Sequence, residues 1–147
     1  MAKFVYRMQN ILDIKYKLET QAKTVYAAAS EALRQEELKL KLLYDDINTY
    51  EDRIRELSSS VLDVQELKWC NEAIEIKKLQ IEQQKNEVKK AQRNLELARI
   101  KLNEVMVDRK THEKLKEKAF EEFKKELEDT EKKEVDELVS FKFNKSD

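Results

Sequence analysis

The chain has 147 residues and a net charge of −1, and it contains no glycine and no proline. Glycine supplies tight turns and proline ends helices, so a chain without either is poorly suited to a sheet protein or a compact enzyme. Charged residues make up 41% of the sequence, with 30 basic and 31 acidic residues. This balance argues against a dedicated nucleic-acid binder, which usually has a strong basic excess. The composition predicts an all-α protein of long helices.

The first predicted helix spans about residues 5–57. Apolar residues recur along it at alternating steps of three and four, the spacing of a coiled-coil seam. The step from Ala29 to Leu33 is a four where a three is due, which predicts one stutter in the supercoil. The predicted seam positions are Phe4, Met8, Ile11, Leu18, Ala22, Val25, Ala29, Leu33, Leu40, Leu43, Ile47, Tyr50, Ile54 and Leu57.

A hinge is predicted at about residues 58–62, where the chain has its only cluster of serines. Two residue pairs near the hinge have the spacing of a capping box that opens a helix, namely Ser60 with Asp63 and Asp63 with Glu66. Either pair predicts that the second helix begins near residue 63.

The second predicted helix spans about residues 63–140 and ends in an apolar patch. Because a short connection makes antiparallel neighbours, we predict one domain, residues 1–147, folded as a long two-helix antiparallel coiled-coil hairpin. Folding at residue 60 places Phe4 near Lys116 and leaves about 25 residues of the second helix beyond. Two separate helices in an intermolecular bundle have the same periodicity and remain an alternative. The second seam and its final patch are Cys70, Ile74, Ile81, Val88, Ala91, Leu95, Ala98, Leu102, Val105, His112, Leu115, Ala119, Phe123, Leu127, Val135, Leu138, Val139, Phe141 and Phe143.

No catalytic residue, metal site or cofactor is predicted. The only histidine, His112, lies on the seam without a second His or Cys at helical spacing. The only cysteine, Cys70, also lies on the seam, and a lone cysteine indicates a reducing compartment. Without an apolar signal core or a run of ~20 apolar residues, we expect a cytoplasmic protein that does not insert into a membrane directly.

Aromatic residues mark two places where other proteins could bind. All five phenylalanines lie near the ends of the sequence, which a hairpin brings together. They either close the end of the coiled coil or form a contact surface. The only tryptophan, Trp69, lies next to the hinge, where it either packs over the turn or anchors a contact.

Three segments resemble the bacterial flagellar export protein family FliJ. Residues 4–15 (FVYRMQNILDIK) resemble the family's aromatic-rich opening, F-x-[FY]-[RK]-[LM]-Q-x-[LIV]-L-x-[LI]-[KR]. Residues 63–68 (DVQELK) resemble the start of its second helix, and residues 133–143 (KEVDELVSFKF) resemble its closing segment. The chain departs from the family at residues 70–73 (CNEA), where a Tyr-Gln-x-Phe-like patch is common.

The resemblance implies a non-enzymatic stalk of the flagellar type III export apparatus, similar to the two-helix coiled coil of the rotary ATP synthase γ subunit. The implied partners are the hexameric flagellar export ATPase, the cytoplasmic domain of the export gate and the flagellar export chaperones, with no nucleic acid. The implied location is cytoplasmic, peripherally associated with the cytoplasmic face of the export apparatus. The equivalent stalk of an injectisome and a generic coiled-coil chaperone or tether are the alternatives.

Two sets of residues are predicted to bind these partners. The aromatic end and the unpaired stripe beyond it are predicted to bind the ATPase, and the apolar residues around the hinge are predicted to bind the export gate. The ATPase set is Phe4, Met8, Phe123, Leu127, Val135, Leu138 and Phe141. The gate set is Leu62, Val64, Leu67, Trp69 and Ala73.

Overall fold

The chain folds into two long helices that pack against each other as an antiparallel hairpin. The computed structural model describes residues 2–59 and 63–145, and the side chains of these residues except Ser59 and 143–145. Helix α1 spans Gln9–Ser59 and helix α2 spans Val64–Lys145. No strand occurs within these described ranges. The predicted all-α two-helix hairpin is confirmed, while residues 60–62 of the predicted hinge lie outside the described part.

The chain divides into two compact units. Unit 1 consists of residues 1–21 and 103–147, and unit 2 of residues 22–102. In unit 2, the Glu36 side chain accepts a hydrogen bond from Gln84, and the Asp46 carboxylate lies 3.2 Å from the Lys77 ammonium. These cross-helix contacts run in opposite directions along the two helices, so the pairing is antiparallel. The buried apolar residues of unit 2 are Ala22, Leu57, Cys70, Ile74, Ile81, Val88, Ala91 and Ala98.

Helix α2 begins with a side-chain cap from Asp63. Its Oδ1 accepts hydrogen bonds from the backbone N–H groups of Gln65 at 3.1 Å and Glu66 at 3.2 Å. Asp63 is therefore the N-cap of α2, while Ser60 of the other predicted pair lies outside the described residues. The Glu66 carboxylate does not return to the cap but pairs with Arg53 of α1, with an Oε1–Nη2 distance of 2.6 Å. The start of α2 is thus bound to α1.

Helix α1 begins at Gln9, later than the predicted position near residue 5. Residues 2–6 are not helical, and the Tyr6 carbonyl accepts a hydrogen bond from the Gln9 N–H in a turn. The Phe4 ring in this segment packs against Phe120 and Phe123 of α2, with centroid distances of 5.2 and 5.4 Å. Phe4 therefore lies beyond Lys116, the neighbour that folding at residue 60 predicts. The helical part of α1 is displaced in the same direction, since Glu19 pairs with Arg109.

The predicted seam is wrong in the first part of α1. Leu12, only 1% exposed, and Glu19 are the buried residues of α1 in unit 1, whereas Met8, Ile11 and Leu18 are exposed. Leu12 and Glu19 lie seven residues apart and share a heptad phase with half-buried residues farther along α1, so the predicted stutter is absent. The apolar spacing predicted the neighbouring stripe of Ile11 and Leu18 instead, because the buried seam contains Glu19, which is not apolar.

Candidate functional site

A buried ion pair in unit 1 explains why a glutamate lies on the seam. The Arg109 guanidinium binds Glu19 through two hydrogen bonds, Nε–Oε2 at 2.5 Å and Nη2–Oε1 at 3.3 Å. The two side chains are only 17% and 7% exposed. Arg109 also pairs with Glu113 at 2.8 Å, and the Tyr16 hydroxyl donates a hydrogen bond to Glu113. Because buried charges need partners, this cluster fixes the register of α1 on α2.

The cluster shifts the pKa values of its members. The hydrogen bond from Tyr16, assisted by those from Arg109, lowers the pKa of the Glu113 carboxyl below its usual range. The hydrogen bond to Glu19, with Glu113, raises the pKa of Arg109. The hydrogen bond to Glu113 raises the pKa of Tyr16. The shifts of Glu113 and Arg109 favour their charged forms, and the shift of Tyr16 favours the neutral hydroxyl that donates to Glu113. Such shifts are typical of a structural cluster.

A second polar group lies beside this cluster and consists of Lys15, Asp108 and His112. The Lys15 ammonium lies 2.8 Å from the Asp108 carboxylate, and its hydrogen bond lowers the pKa of Asp108. The His112 Nε2 atom lies 3.6 Å from Asp108, and its Nδ1 atom is buried without a hydrogen-bond partner. Within residues 2–59 and 63–145, no group of three or more His, Cys, Asp or Glu residues is arranged to hold a metal ion.

The residues predicted to bind the ATPase fall into two groups in unit 1. Phe4 and Phe123 are brought together, and Phe120 completes an aromatic cluster with them. Phe120 was missing from the predicted set, although it is one of the five terminal phenylalanines. Leu127 is half-buried and Met8 is exposed.

The rest of the predicted ATPase set lies farther along α2, away from the aromatic cluster. Every residue from 131 to 142 is exposed, including Val135, Leu138 and Phe141. Val135 and Leu138 share a face with Val139, because positions i, i+3 and i+4 align on a helix. This exposed apolar face is a candidate docking surface.

The residues predicted to bind the export gate lie in unit 2, except that Leu62 is outside the described residues. Trp69 is 76% exposed and Val64 is also exposed, whereas Leu67 and Ala73 are half-buried. Trp69 therefore presents its indole to solvent rather than burying it.

The surface around Trp69 includes residues that sequence reasoning missed. A pocket of about 270 Å³ is lined by Tyr50, Trp69, Cys70, Glu72, Ala73 and Ile76. Ile76 follows Trp69 by seven residues and is exposed, as is Leu79 one turn farther on. The i, i+7 spacing was the available signal for Ile76, but Tyr50 joins the pocket only through the pairing of α1 with α2.

Fold and surfaces together define a two-helix coiled-coil hairpin with exposed apolar faces of the kind that protein partners cover. Among its described residues, no helix has an apolar stretch sufficient to cross a membrane. Residues 4–147 match the family described as Flagellar FliJ protein. The chain therefore belongs to the FliJ family, which functions in flagellar protein export and flagellum biogenesis, and the resemblance noted in its sequence is confirmed. No curated protein and no solved structure matches the chain.

Proposed function

We propose that this chain is the non-enzymatic coiled-coil stalk of the flagellar type III export apparatus. In this role it enters the hexameric export ATPase, promotes its assembly and activity, and links it to the export gate and to escort chaperones. The observation that carries the proposal is the family match over residues 4–147. We place the protein in the cytoplasm, peripherally associated with the cytoplasmic face of the export apparatus at the membrane.

The ATPase contact is proposed for unit 1. Val135 and Leu138 are exposed on the last part of α2, and burying one such side chain stabilises a complex by about 1.5–3 kcal/mol. Residues 128–139 include six acidic and two basic residues, and Glu134 and Asp136 flank this face as a charged rim. The aromatic cluster of Phe4, Phe120 and Phe123 holds the N-terminal segment on α2. We assign Met8 and Leu127 to the same contact.

Stimulation of the purified export ATPase tests this contact. Removal of residues 130–147, or the double variant Val135→Lys/Leu138→Lys, should abolish stimulation because it removes the apolar face. Val107→Lys is the matched control, since Val107 is equally exposed on α2 in the same unit. Circular dichroism of each variant checks that helicity is retained. Full stimulation by Val135→Lys/Leu138→Lys would place the contact elsewhere.

The export-gate contact is proposed for the surface around Trp69 in unit 2. A tryptophan buries a large area at low entropic cost, and exposed tryptophans are frequent anchors of interfaces. The neighbouring pocket between Tyr50 and Ile76 offers an apolar wall for a partner side chain. Val64 and Leu67 extend the apolar surface toward the start of α2.

Binding of the gate's cytoplasmic domain measures this contact directly. Trp69→Ala should weaken binding by about 1–3 kcal/mol, as the truncation of a hot-spot residue does. Leu97→Ala is the control, because Leu97 is exposed in the same unit but outside the pocket. Unaltered affinity of Trp69→Ala would reject the assignment, and an early thermal transition would show that Trp69 is structural.

A further inference from the structure

The pocket beside Trp69 has a neighbour on the same helix, and the two pockets share part of their walls. The second pocket has a volume of about 750 Å³, and its walls include Val64, Leu67 and Asn71. Glu72 and Ile76 line both pockets. All of these residues belong to unit 2. The surface around Trp69 therefore consists of two adjoining pockets rather than one.

Glu72 lies between the two pockets around the circumference of α2. Each residue turns an α-helix by about 100°. Trp69 and Ala73 of the first pocket therefore lie on one side of Glu72. Val64 and Asn71 of the second pocket lie on its other side. A carboxylate thus separates two pockets that both have apolar walls.

The apolar walls of both pockets are open to solvent. Trp69 and Ile76 are exposed at the first pocket, and Val64 is 72% exposed at the second. Burial of apolar surface is the main favourable contribution to most contacts between proteins. Each pocket therefore suits one apolar side chain of a partner.

Glu72 itself is a charge without a counter-ion. Its side chain is exposed, and its carboxylate makes no ion pair and no hydrogen bond with any residue that the structure describes. Trp69 precedes it by three residues and lines the same pocket, so the indole and the carboxylate are neighbours. A cation bound here would be attracted by the carboxylate charge and by the face of the indole.

The region around Glu72 stays acidic when its ion pairs are taken into account. Residues 45–78 contain nine acidic and five basic residues, a net charge of −4. Four of the five cations pair with carboxylates of this same range, so the net charge already includes those pairs. A surface with this excess of carboxylates attracts a cationic partner and repels an acidic one.

We propose that the partner of this surface is a protein segment in which a lysine or arginine lies between two apolar side chains. The two apolar side chains enter the two pockets, and the cation lies against Glu72 and the indole of Trp69. The segment crosses α2, because the pockets lie on opposite sides of Glu72. The contact is the one proposed above for the export gate, so the inference rests on that function and adds the chemistry of the gate's segment.

The salt dependence of gate binding tests the cation. Glu72→Gln keeps the size of the side chain and removes its charge, so it should weaken binding of the gate's cytoplasmic domain about fivefold at low salt. It should also reduce the loss of affinity that added NaCl causes, because salt screens charged contacts. Glu37→Gln is the matched control and should bind as the wild type, since Glu37 is exposed in the same unit and lines neither pocket. Titration calorimetry at low and high NaCl measures all three chains.

Trp69→Ala, measured in the same way, separates the cation from the contact itself. If Trp69→Ala weakens gate binding while Glu72→Gln matches the wild type in affinity and salt dependence, the contact is correct and the cation is wrong. Wild-type affinity of both variants would reject the contact, and the partner chemistry with it.

Photo-cross-linking identifies the partner segment directly. A photoreactive phenylalanine analogue in place of Asn71, which is exposed in the second pocket, should join the chain to the gate's cytoplasmic domain. The same analogue in place of Leu97, which is exposed outside both pockets, should not. Mass spectrometry of the joined peptide should show a lysine or arginine with an apolar residue on each side. A joined peptide without a cation, or a product that joins two copies of this chain, would overturn the proposal.

Discussion

At the scale of single residues, the Glu19–Arg109 pair fixes the register of α1 on α2 in unit 1. Their two hydrogen bonds form only when α1 and α2 are in one register, whereas apolar side chains tolerate a shift of one helical turn more easily. Removing one member of a buried ion pair leaves the other charge uncompensated, while replacing both by apolar residues often preserves stability. The two kinds of substitution therefore separate the contribution of the pair from the cost of an orphaned charge.

Arg109→Met should lower the thermal midpoint of unfolding by several degrees, because the buried Glu19 then loses its two hydrogen bonds to the guanidinium. The double variant Glu19→Leu/Arg109→Met should regain most of the loss. Arg99→Met is the control, since Arg99 pairs with Glu96 on an exposed surface and such pairs contribute little. Thermal unfolding followed by circular dichroism measures all three. A midpoint of Arg109→Met equal to that of Arg99→Met would show that the buried pair is not needed.

Glu113 makes the stability of the hairpin depend on pH in acid. Tyr16 and Arg109 lower the pKa of this carboxyl in the folded protein, whereas a glutamate in an unfolded chain has a pKa of about 4.3. The stabilisation is therefore complete above that value and is lost as the pH falls through the lower folded pKa. Glu113→Gln should be less stable than the wild type at pH 7, and the difference should shrink below about pH 4.

Tyr16→Phe provides the matched test of the same effect. It removes the hydrogen bond that lowers the pKa of Glu113 most, so the loss of stability should begin at a higher pH than in the wild type. Denaturant unfolding at a series of pH values measures the shift for both variants. Parallel stability curves for the wild type and Glu113→Gln would contradict the assigned role of this carboxylate.

At the scale of the helices, much of the architecture follows from apolar spacing, and the exceptions have physical causes. The predicted α2 seam is correct from Cys70 to Val105. Its predicted positions are buried apolar residues, except Leu95 and Leu102, which are half-buried. The α1 seam fails where Glu19 replaces an apolar residue, since a partner distant in sequence, Arg109, is what allows a glutamate there. The predicted start of α1 near residue 5 is wrong for a similar reason. The segment around Phe4 is held by contacts with α2, which are distant in the sequence.

The candidate surfaces were also predicted only in part, because their exposure depends on contacts between residues distant in the sequence. Trp69 was identified from its residue type and its place beside the hinge, but its exposure depends on how α1 covers α2, and so does the presence of Tyr50 in the pocket. The exposed stripe containing Ile11 was assigned to the core, because periodicity shows that a face is apolar without showing which helix covers it.

Asp63 determines where α2 begins, and its substitution tests that role. Asp63→Ala should destabilise the protein by about 1 kcal/mol, because the N–H groups of Gln65 and Glu66 lose their acceptor. Asp63→Ser or Asp63→Asn should retain most of the stability, since both side chains can cap a helix. Denaturant unfolding gives the free energies. If Asp63→Ala unfolds with the wild-type free energy, the cap is not needed to start α2.

At the scale of the whole molecule, the two proposed partner surfaces belong to different units of the same chain. The ATPase surface, including Leu138, lies in unit 1, and the gate surface, including Trp69, lies in unit 2. A stalk that couples the ATPase to the gate needs both contacts on one molecule at once, as any bivalent link does. A chaperone or tether that visits the two partners separately needs only one contact at a time.

Co-expression of two defective chains distinguishes these mechanisms. In cells lacking the wild-type gene, Val135→Lys/Leu138→Lys and Trp69→Ala should each reduce swarming motility, the first through the ATPase and the second through the gate. Expressing both variants together should not restore motility, because no single chain then carries both contacts. Co-expression of Val107→Lys with either variant should restore it, since that control chain keeps both surfaces. Recovery of motility with the two defective chains alone would show that the contacts act in separate steps, and coupling through one molecule would be wrong.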